Sequence, residues 1–168
     1  MPPLLLALSY WLHLIATIIW IGGLAMLALV TLPGARKVIG SGPQLGALML
    51  EWQRRFNPLA WLSLAALTVT GLIQMSANKN YDGFLAITNS WATAILLKHI
   101  AIAGMVVIGG IMQWGLTPAI ARLALLESRG KPAPELDSLR RREILLTQIN
   151  LACGLLVLAL TAVARAVG

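Results

Sequence analysis

The fold is decided first by residues 3–31, which read PLLLALSYWLHLIATIIWIGGLAMLALVT. This stretch contains no charged residue, and it is longer than the ~20 apolar residues that cross the hydrocarbon core of a bilayer. It has no basic leading region, and its apolar run is too long for a cleavable signal peptide. We therefore interpret it as a retained first transmembrane span.

Three further apolar stretches follow, at about residues 57–77, 90–117 and 144–167. An amphipathic stretch at about residues 44–56 is expected to extend the second span into the cytoplasm. The link before this stretch contains the helix-breaking residues Pro33, Gly34, Gly40, Gly42 and Pro43. Residues 1–168 are thus predicted to form a single four-span membrane domain.

The composition supports a membrane protein and argues against a soluble one. Hydrophobic residues make up 58% of the 168 positions and charged residues only 11%, whereas soluble domains are about a quarter charged. The sequence also lacks a Walker loop, a dinucleotide-binding fingerprint and an HExxH motif. We predict an all-α integral membrane protein without the signatures of a soluble enzyme.

The basic residues indicate the orientation of the spans. The formal net charge is +7, and most lysines and arginines lie in the first and third links. These are Arg36, Lys37, Arg54 and Arg55 in the first link, and Arg122, Arg129, Lys131, Arg140, Arg141 and Arg142 in the third. The positive-inside rule makes both links cytoplasmic, so we predict an antiparallel bundle of four helices in the inner membrane with both termini outside. The excess charge then contacts anionic lipid of the bilayer, and no nucleic-acid partner is expected.

Polar and small residues recur at helical spacing within every span, and these faces are predicted to meet inside the bundle. They are Ser9, His13, Trp20 and Gly23 in the first span, Asn57, Trp61, Thr68 and Met75 in the second, His99, Gln113 and Thr117 in the third, and Glu143, Thr147, Asn150, Gly154, Thr161 and Arg165 in the fourth. Close backbone approach is expected at Gly22, Gly23, Gly71, Gly109, Gly110 and Gly154.

The only two histidines, His13 and His99, both lie within spans. Each is about 10 residues from the predicted outer end of its span, so both should lie ~14 Å below the outer surface. Two imidazoles at one depth can hold a copper ion, or they can be the axial ligands of a haem b. The alternative is a structural role, in which each ring bonds to neighbouring polar groups. We predict that the pair binds one metal centre.

Two cations near the outer ends of their spans, Lys98 and Arg165, join this candidate site. Their long side chains can reach the lipid headgroups, or they can neutralise the propionates of a haem. A copper ion would be repelled by both cations. The two residues are therefore predicted to be cofactor-binding only in the haem alternative.

Glu143, at the inner edge of the fourth span, has two interpretations. As an acid in the first turn of a helix it would interact favourably with the helix dipole. As an inward-facing carboxylate it would pair with Arg54 or Arg55 and close the cytoplasmic end of the bundle. The thioethers of Met26, Met75, Met105 and Met112 are also possible ligands of Cu(I).

Five segments in order resemble the CopD family of copper resistance membrane proteins. They are LHLIATIIWIGGL at 12–24, RRFNPLAWLSLAALTVTGLIQ at 54–74, ATAILLKHIAIAG at 92–104, LTPAIARL at 116–123 and RREILLTQINLACGLLVLALTAV at 141–163. The resemblance implies copper handling, with a periplasmic metal or electron donor as a possible partner. The four-span plan also resembles the HemJ-type haem-binding membrane proteins, in which case His13 and Lys98 would occupy the places of the essential His and Lys. A structural or assembly subunit without a cofactor is the third function class.

Overall fold

The computed structural model describes residues 2–40, 42–83 and 86–167, and every regular element among them is helical. The α-helices are α1 (Pro3–Ala25), α2 (Leu32–Ile39), α3 (Pro43–Ser76), α4 (Ser90–Gly110), α5 (Thr117–Ser128) and α6 (Leu136–Val167). A π-helical segment, Met26–Thr31, joins α1 to α2, and a second, Ile111–Leu116, joins α4 to α5. Four continuous helices long and apolar enough to cross a membrane result, which confirms the predicted all-α fold with four spans.

The four long helices pack as two pairs. Helix α1 lies along α3, α4 lies along α6, and α1 also contacts α6. No close backbone approach joins α1 to α4 among the described residues, so the first and third spans are diagonal in the bundle. We call the end that holds α2, the end of α5 and the start of α6 the basic end, and the opposite end the distal end.

The two π segments are explained by the prolines that follow them. Pro33 and Pro118 lack the N–H that an α-helix needs, and their rings crowd the preceding turn. The helices widen instead of breaking: Leu32 donates its N–H to the carbonyl of Leu27, and Thr117 donates to that of Met112. The break predicted at Pro33 is therefore wrong, because α2 continues to Ile39.

The turn after α2 occurs at Gly40, which has a φ of +74°. Only glycine adopts this left-handed conformation readily, and it ends the helix there. Helix α3 then runs without interruption for 34 residues, so the amphipathic stretch and the second span are one helix. Its first turns bury Leu45 and Met49 against Leu27 and the other apolar residues at the basic end.

The centre of the bundle is a buried cluster that includes Trp20, Leu24, Met105, Leu151 and Val157. Large apolar side chains also cover the outside of the helices, as expected for a surface that faces lipid. Among the most exposed are Ile18, Leu29, Leu62, Val107 and Leu155. Because lipid is as apolar as these side chains, tight packing and hydrogen bonds must hold the helices together.

Close packing occurs at three of the six predicted glycines. The Phe56 ring occupies the space that a Cβ at Gly23 would need, and a Cβ at Gly154 would lie 3.4 Å from both Ile21 and Met105. At Gly71, a Cβ would lie 3.6 Å from the His13 ring. The prediction is wrong for Gly22 and Gly110, which meet only side chains of their own helix, and for Gly109, which faces open space.

Candidate functional site

The His13 ring points from α1 towards α3. Its Nδ1 lies 2.8 Å from the Oγ1 of Thr70, and the ring is half-buried. We assign the single hydroxyl hydrogen of Thr70 to the carbonyl of Ala66 at 2.6 Å, which makes Nδ1 of His13 the donor of its bond to Thr70. In the neutral ring this assignment leaves Nε2 of His13 without a proton and with a lone pair, which is the state of an imidazole that ligates a metal.

Three more polar contacts surround this ring and hold α1 against α3. Ser9 donates to the backbone carbonyl of Thr70 at 3.2 Å, and Gln74 donates to the carbonyl and hydroxyl of Ser9 at 3.2 and 3.4 Å. Ser9 and Thr70 are almost completely buried. We call Ser9, His13, Thr70 and Gln74 the distal polar cluster. The sequence stripe on the second span missed Thr70 and selected Thr68, which is exposed.

Lys98 and His99 leave α4 in different directions. Lys98 is half-buried, and its charge acts on the His13 ring. His99 is exposed, and its Nδ1 donates to the carbonyl of Ile95 at 2.7 Å within its own helix. Lys98 lies on the buried face of α4, which also carries Trp91, Ala94, Ala101 and Met105 at helical spacing. This spacing was readable in the sequence and would have placed Lys98 inside.

The predicted site residues are therefore brought together only in part. The Lys98 charge is close enough to influence the His13 ring, whereas the His99 ring lies on the exposed surface of α4 and bonds to its own helix. A metal ion shared by the two histidines stays a prediction. No group of three or more His, Cys, Asp or Glu side chains with metal-binding geometry occurs within the described ranges.

Arg165, the fourth predicted site residue, lies at the distal end of α6. Its guanidinium carbon is 5.5 Å from the centroid of the Tyr10 ring, which is cation–π distance. The residue is exposed, and the neighbouring Ala164 packs against Trp91. Arg165 thus joins α6 to α1 at the distal end of the bundle.

Glu143 faces inward, but its partner differs from the predicted one. Gln53 donates to the Glu143 carboxylate at 2.6 Å, and Thr117 donates to the side-chain oxygen of Gln53, also at 2.6 Å. Arg55, one of the two predicted partners, bonds to Glu51 on its own helix at 2.6 Å. The first-turn interpretation is wrong because α6 begins at Leu136, two turns before Glu143. We call Gln53, Thr117 and Glu143 the basic-end triad.

A cavity of about 90 Å³ lies on the distal side of this triad, between all four long helices. Its polar lining includes Gln53, Asn57, Gln113, Thr147 and Asn150, and Trp20 and Leu24 lie on its distal side. A wider cleft of about 610 Å³ opens on the other side of the triad at the basic end. Gln53 and Thr117 line both spaces, so the triad separates the cavity from the cleft.

Four long apolar helices that bury polar side chains define a multi-pass helical protein of the inner membrane. The family model for copper resistance protein D, CopD, matches residues 50–164, which is more than half of the chain. The chain therefore belongs to the CopD family, as its sequence segments predicted. No curated protein and no solved structure matches it significantly.

Proposed function

We propose that this protein handles copper within the membrane and that His13 is its principal protein ligand on the distal side. The observation that carries the proposal is the hydrogen bond between Nδ1 of His13 and the Thr70 hydroxyl, which leaves Nε2 available. Membership of the copper resistance family supplies the identity of the metal. Copper is the cargo in this proposal, and the protein residues bind and release it.

The setting of His13 suits a transient ligand. A histidine inside a membrane is costly unless its polar atoms are satisfied, and here one nitrogen is held by Thr70 while the other is left for a guest. A hydrogen-bond partner on the other ring nitrogen, such as Thr70 here, orients a metal-binding imidazole and raises its basicity. The distal polar cluster also lies in the distal half of the bundle, on the side from which a periplasmic donor would deliver the metal.

His99 is the proposed second imidazole, as the sequence predicted, but it requires a movement. Its Nδ1 donates to the Ile95 carbonyl, so in the neutral ring the lone pair lies on Nε2. To share a copper ion with His13, the ring would have to turn from the exposed surface of α4 towards α1. We therefore expect His13 and His99 to contribute unequally to copper binding, and single substitutions measure each contribution.

The test is a titration of purified protein with Cu(I) in competition with a chromogenic chelator. We expect His13→Ala to lose one equivalent of bound copper and His99→Ala to weaken binding without abolishing it. Thr68→Ala, an exposed polar site on α3, is the matched control and should bind like the wild type. Full copper occupancy in a folded His13→Ala protein would reject His13 as the ligand.

The haem alternative has one supporting observation, the action of the Lys98 charge on the His13 region, where it would favour a propionate. Axial ligation by both histidines does not fit this structure, because the His99 ring is exposed and bonded to its own helix. An optical spectrum separates the classes. A Soret band with sharp reduced bands supports haem, a colourless protein with stoichiometric copper supports the proposal, and absence of both supports a structural subunit.

A further inference from the structure

The cavity of about 90 Å³ is lined by a buried acceptor, Asn150 Oδ1, that has no hydrogen-bond partner among the described residues. Asn150 is only 4% exposed and lines the cavity from α6. Within the described part of the chain, its Oδ1 accepts no hydrogen bond. Buried polar atoms are nearly always satisfied, and an unmet acceptor costs about 1–3 kcal/mol. The Asn150 oxygen is therefore available to a guest in the cavity.

Three of the donors that line the cavity bond to groups other than Asn150. Thr147 donates to the backbone carbonyl of Glu143 at 2.8 Å, and Thr117 donates to Gln53. On the opposite wall, the indole N–H of Trp61 donates to the side-chain oxygen of Gln113 at 2.7 Å. These bonds fix the walls of the cavity, and the Asn150 oxygen remains free for the guest.

Volume and charge restrict the identity of this guest. A space of about 90 Å³ holds a small ion with a few water molecules and is far too small for a macrocycle. None of the residues that line it is charged. A divalent ion would lack compensating carboxylates in this neutral environment, so the guest is either neutral or a monovalent cation.

Two methionines make the lining selective for a soft cation. Met105 and Met112 line the cavity from the third span, and Met105 is 1% exposed. Met112 belongs to the π segment Ile111–Leu116, and π segments are frequent at functional sites. Thioethers select Cu(I) over the harder ions that bind oxygen.

We propose that the cavity is a second Cu(I) site, formed by the thioethers of Met105 and Met112 with the Asn150 amide oxygen as a weak third ligand. This inference rests on the proposed copper function and gives it an inner site. A copper ion would then bind first at the distal polar cluster, pass the apolar layer of Trp20 and Leu24, and reach the inner site. The basic-end triad lies between the inner site and the cleft. The metal stays Cu(I) along the whole path.

The experiment measures Cu(I) stoichiometry in purified protein together with X-ray absorption at the copper edge. We expect two equivalents in the wild type, with sulfur among the ligands of one of them. Met105→Leu keeps the volume and should lose one equivalent together with the sulfur signal, and Asn150→Leu should weaken the binding of the same equivalent. Met26→Leu changes a methionine that is 53% exposed and does not line the cavity, so it should retain both equivalents.

The outcomes separate this inference from the proposed function. Two equivalents without sulfur ligands, or two equivalents in Met105→Leu, overturn the inner site and leave the His13 proposal intact. A single equivalent that His13→Ala removes means that the cavity holds only water. A single equivalent that Met105→Leu removes and His13→Ala retains supports the inner site and overturns the role of His13. A protein that binds no Cu(I) overturns both.

Discussion

Nδ1 of His13 and Oγ1 of Thr70 lie 2.8 Å apart and join the first span to the second. The bond links residues 57 positions apart and sets the orientation of the ring. With the Thr70 hydrogen assigned to the Ala66 carbonyl, Nδ1 of His13 is the donor to Thr70 and Nε2 of the neutral ring is free. Substitutions at Thr70 therefore test the copper proposal without removing the imidazole.

Thr70→Val should lower Cu(I) affinity about 10- to 100-fold, the range found when partners of metal-binding residues are removed. Valine has nearly the same shape but cannot accept the bond from Nδ1. Thr70→Ser should restore most of the affinity because it keeps the hydroxyl. Thr68→Val, on the exposed face of α3, is the control. Equal affinity in Thr70→Val and the wild type would show that the bond serves packing alone.

The orientation of the bundle can be measured by cysteine labelling after Cys153→Ala. With both termini outside, a Gly130→Cys protein should react with an impermeant maleimide only from the cytoplasm. An Asp82→Cys protein should react only from outside. The physical reason is the concentration of arginine and lysine at the basic end. The opposite pattern at both sites would reject the predicted orientation.

Substitution of Lys98 and Arg165 distinguishes a copper-binding protein from a haem-binding one. The Lys98→Ala, Arg165→Ala double variant should bind Cu(I) as well as the wild type or more tightly, because a cation near the His13 site is removed. If the protein instead contains haem, the same variant should lose part of it, since the propionates lose their partners. Unchanged retention of haem would assign both side chains to anchoring in lipid headgroups.

Glu143 should affect stability rather than copper content. Glu143→Gln keeps an acceptor for Gln53 and should lower stability only slightly. Glu143→Leu leaves the amide N–H of Gln53 without its acceptor and should cost about 1–3 kcal/mol. Thermal unfolding in detergent measures the difference. Glu51→Gln is the control, because its exposed bond to Arg55 contributes little. Loss of bound copper in a stably folded Glu143→Gln protein would contradict this role.

An added methyl group should change the stability of the bundle at Gly23 but not at Gly109. Gly23→Ala should destabilise the bundle by about 1–3 kcal/mol, because the Phe56 ring occupies the required space. That ring is held by stacking on Trp52 at 4.4 Å and cannot move freely. Gly109→Ala meets nothing within 4 Å and should be neutral or slightly stabilising. Equal unfolding temperatures for the two variants would contradict this packing.

Hydropathy and charge alone determined the four spans of this protein. Each span is a long apolar run, and a bilayer allows such a run few conformations other than a helix. The polar stripe of the fourth span was also readable, because Thr147, Asn150 and Gly154 recur at helical spacing and all three are buried. Local periodicity is sufficient when one face of a helix meets the rest of the bundle.

The tertiary structure alone decided which polar residues meet. Lys98 and His99 are adjacent in sequence and about 100° apart around α4, so a small rotation of the helix exchanges the inner residue for the outer one. Packing of Ala94, Ala101 and Met105 selects Lys98 for the inside. The bond from Gln53 to Glu143 crosses 90 positions and depends on how α3 and α6 pack at the basic end. Periodicity describes each helix separately, whereas the rotation of one helix against another is set by contacts that lie far apart in the chain.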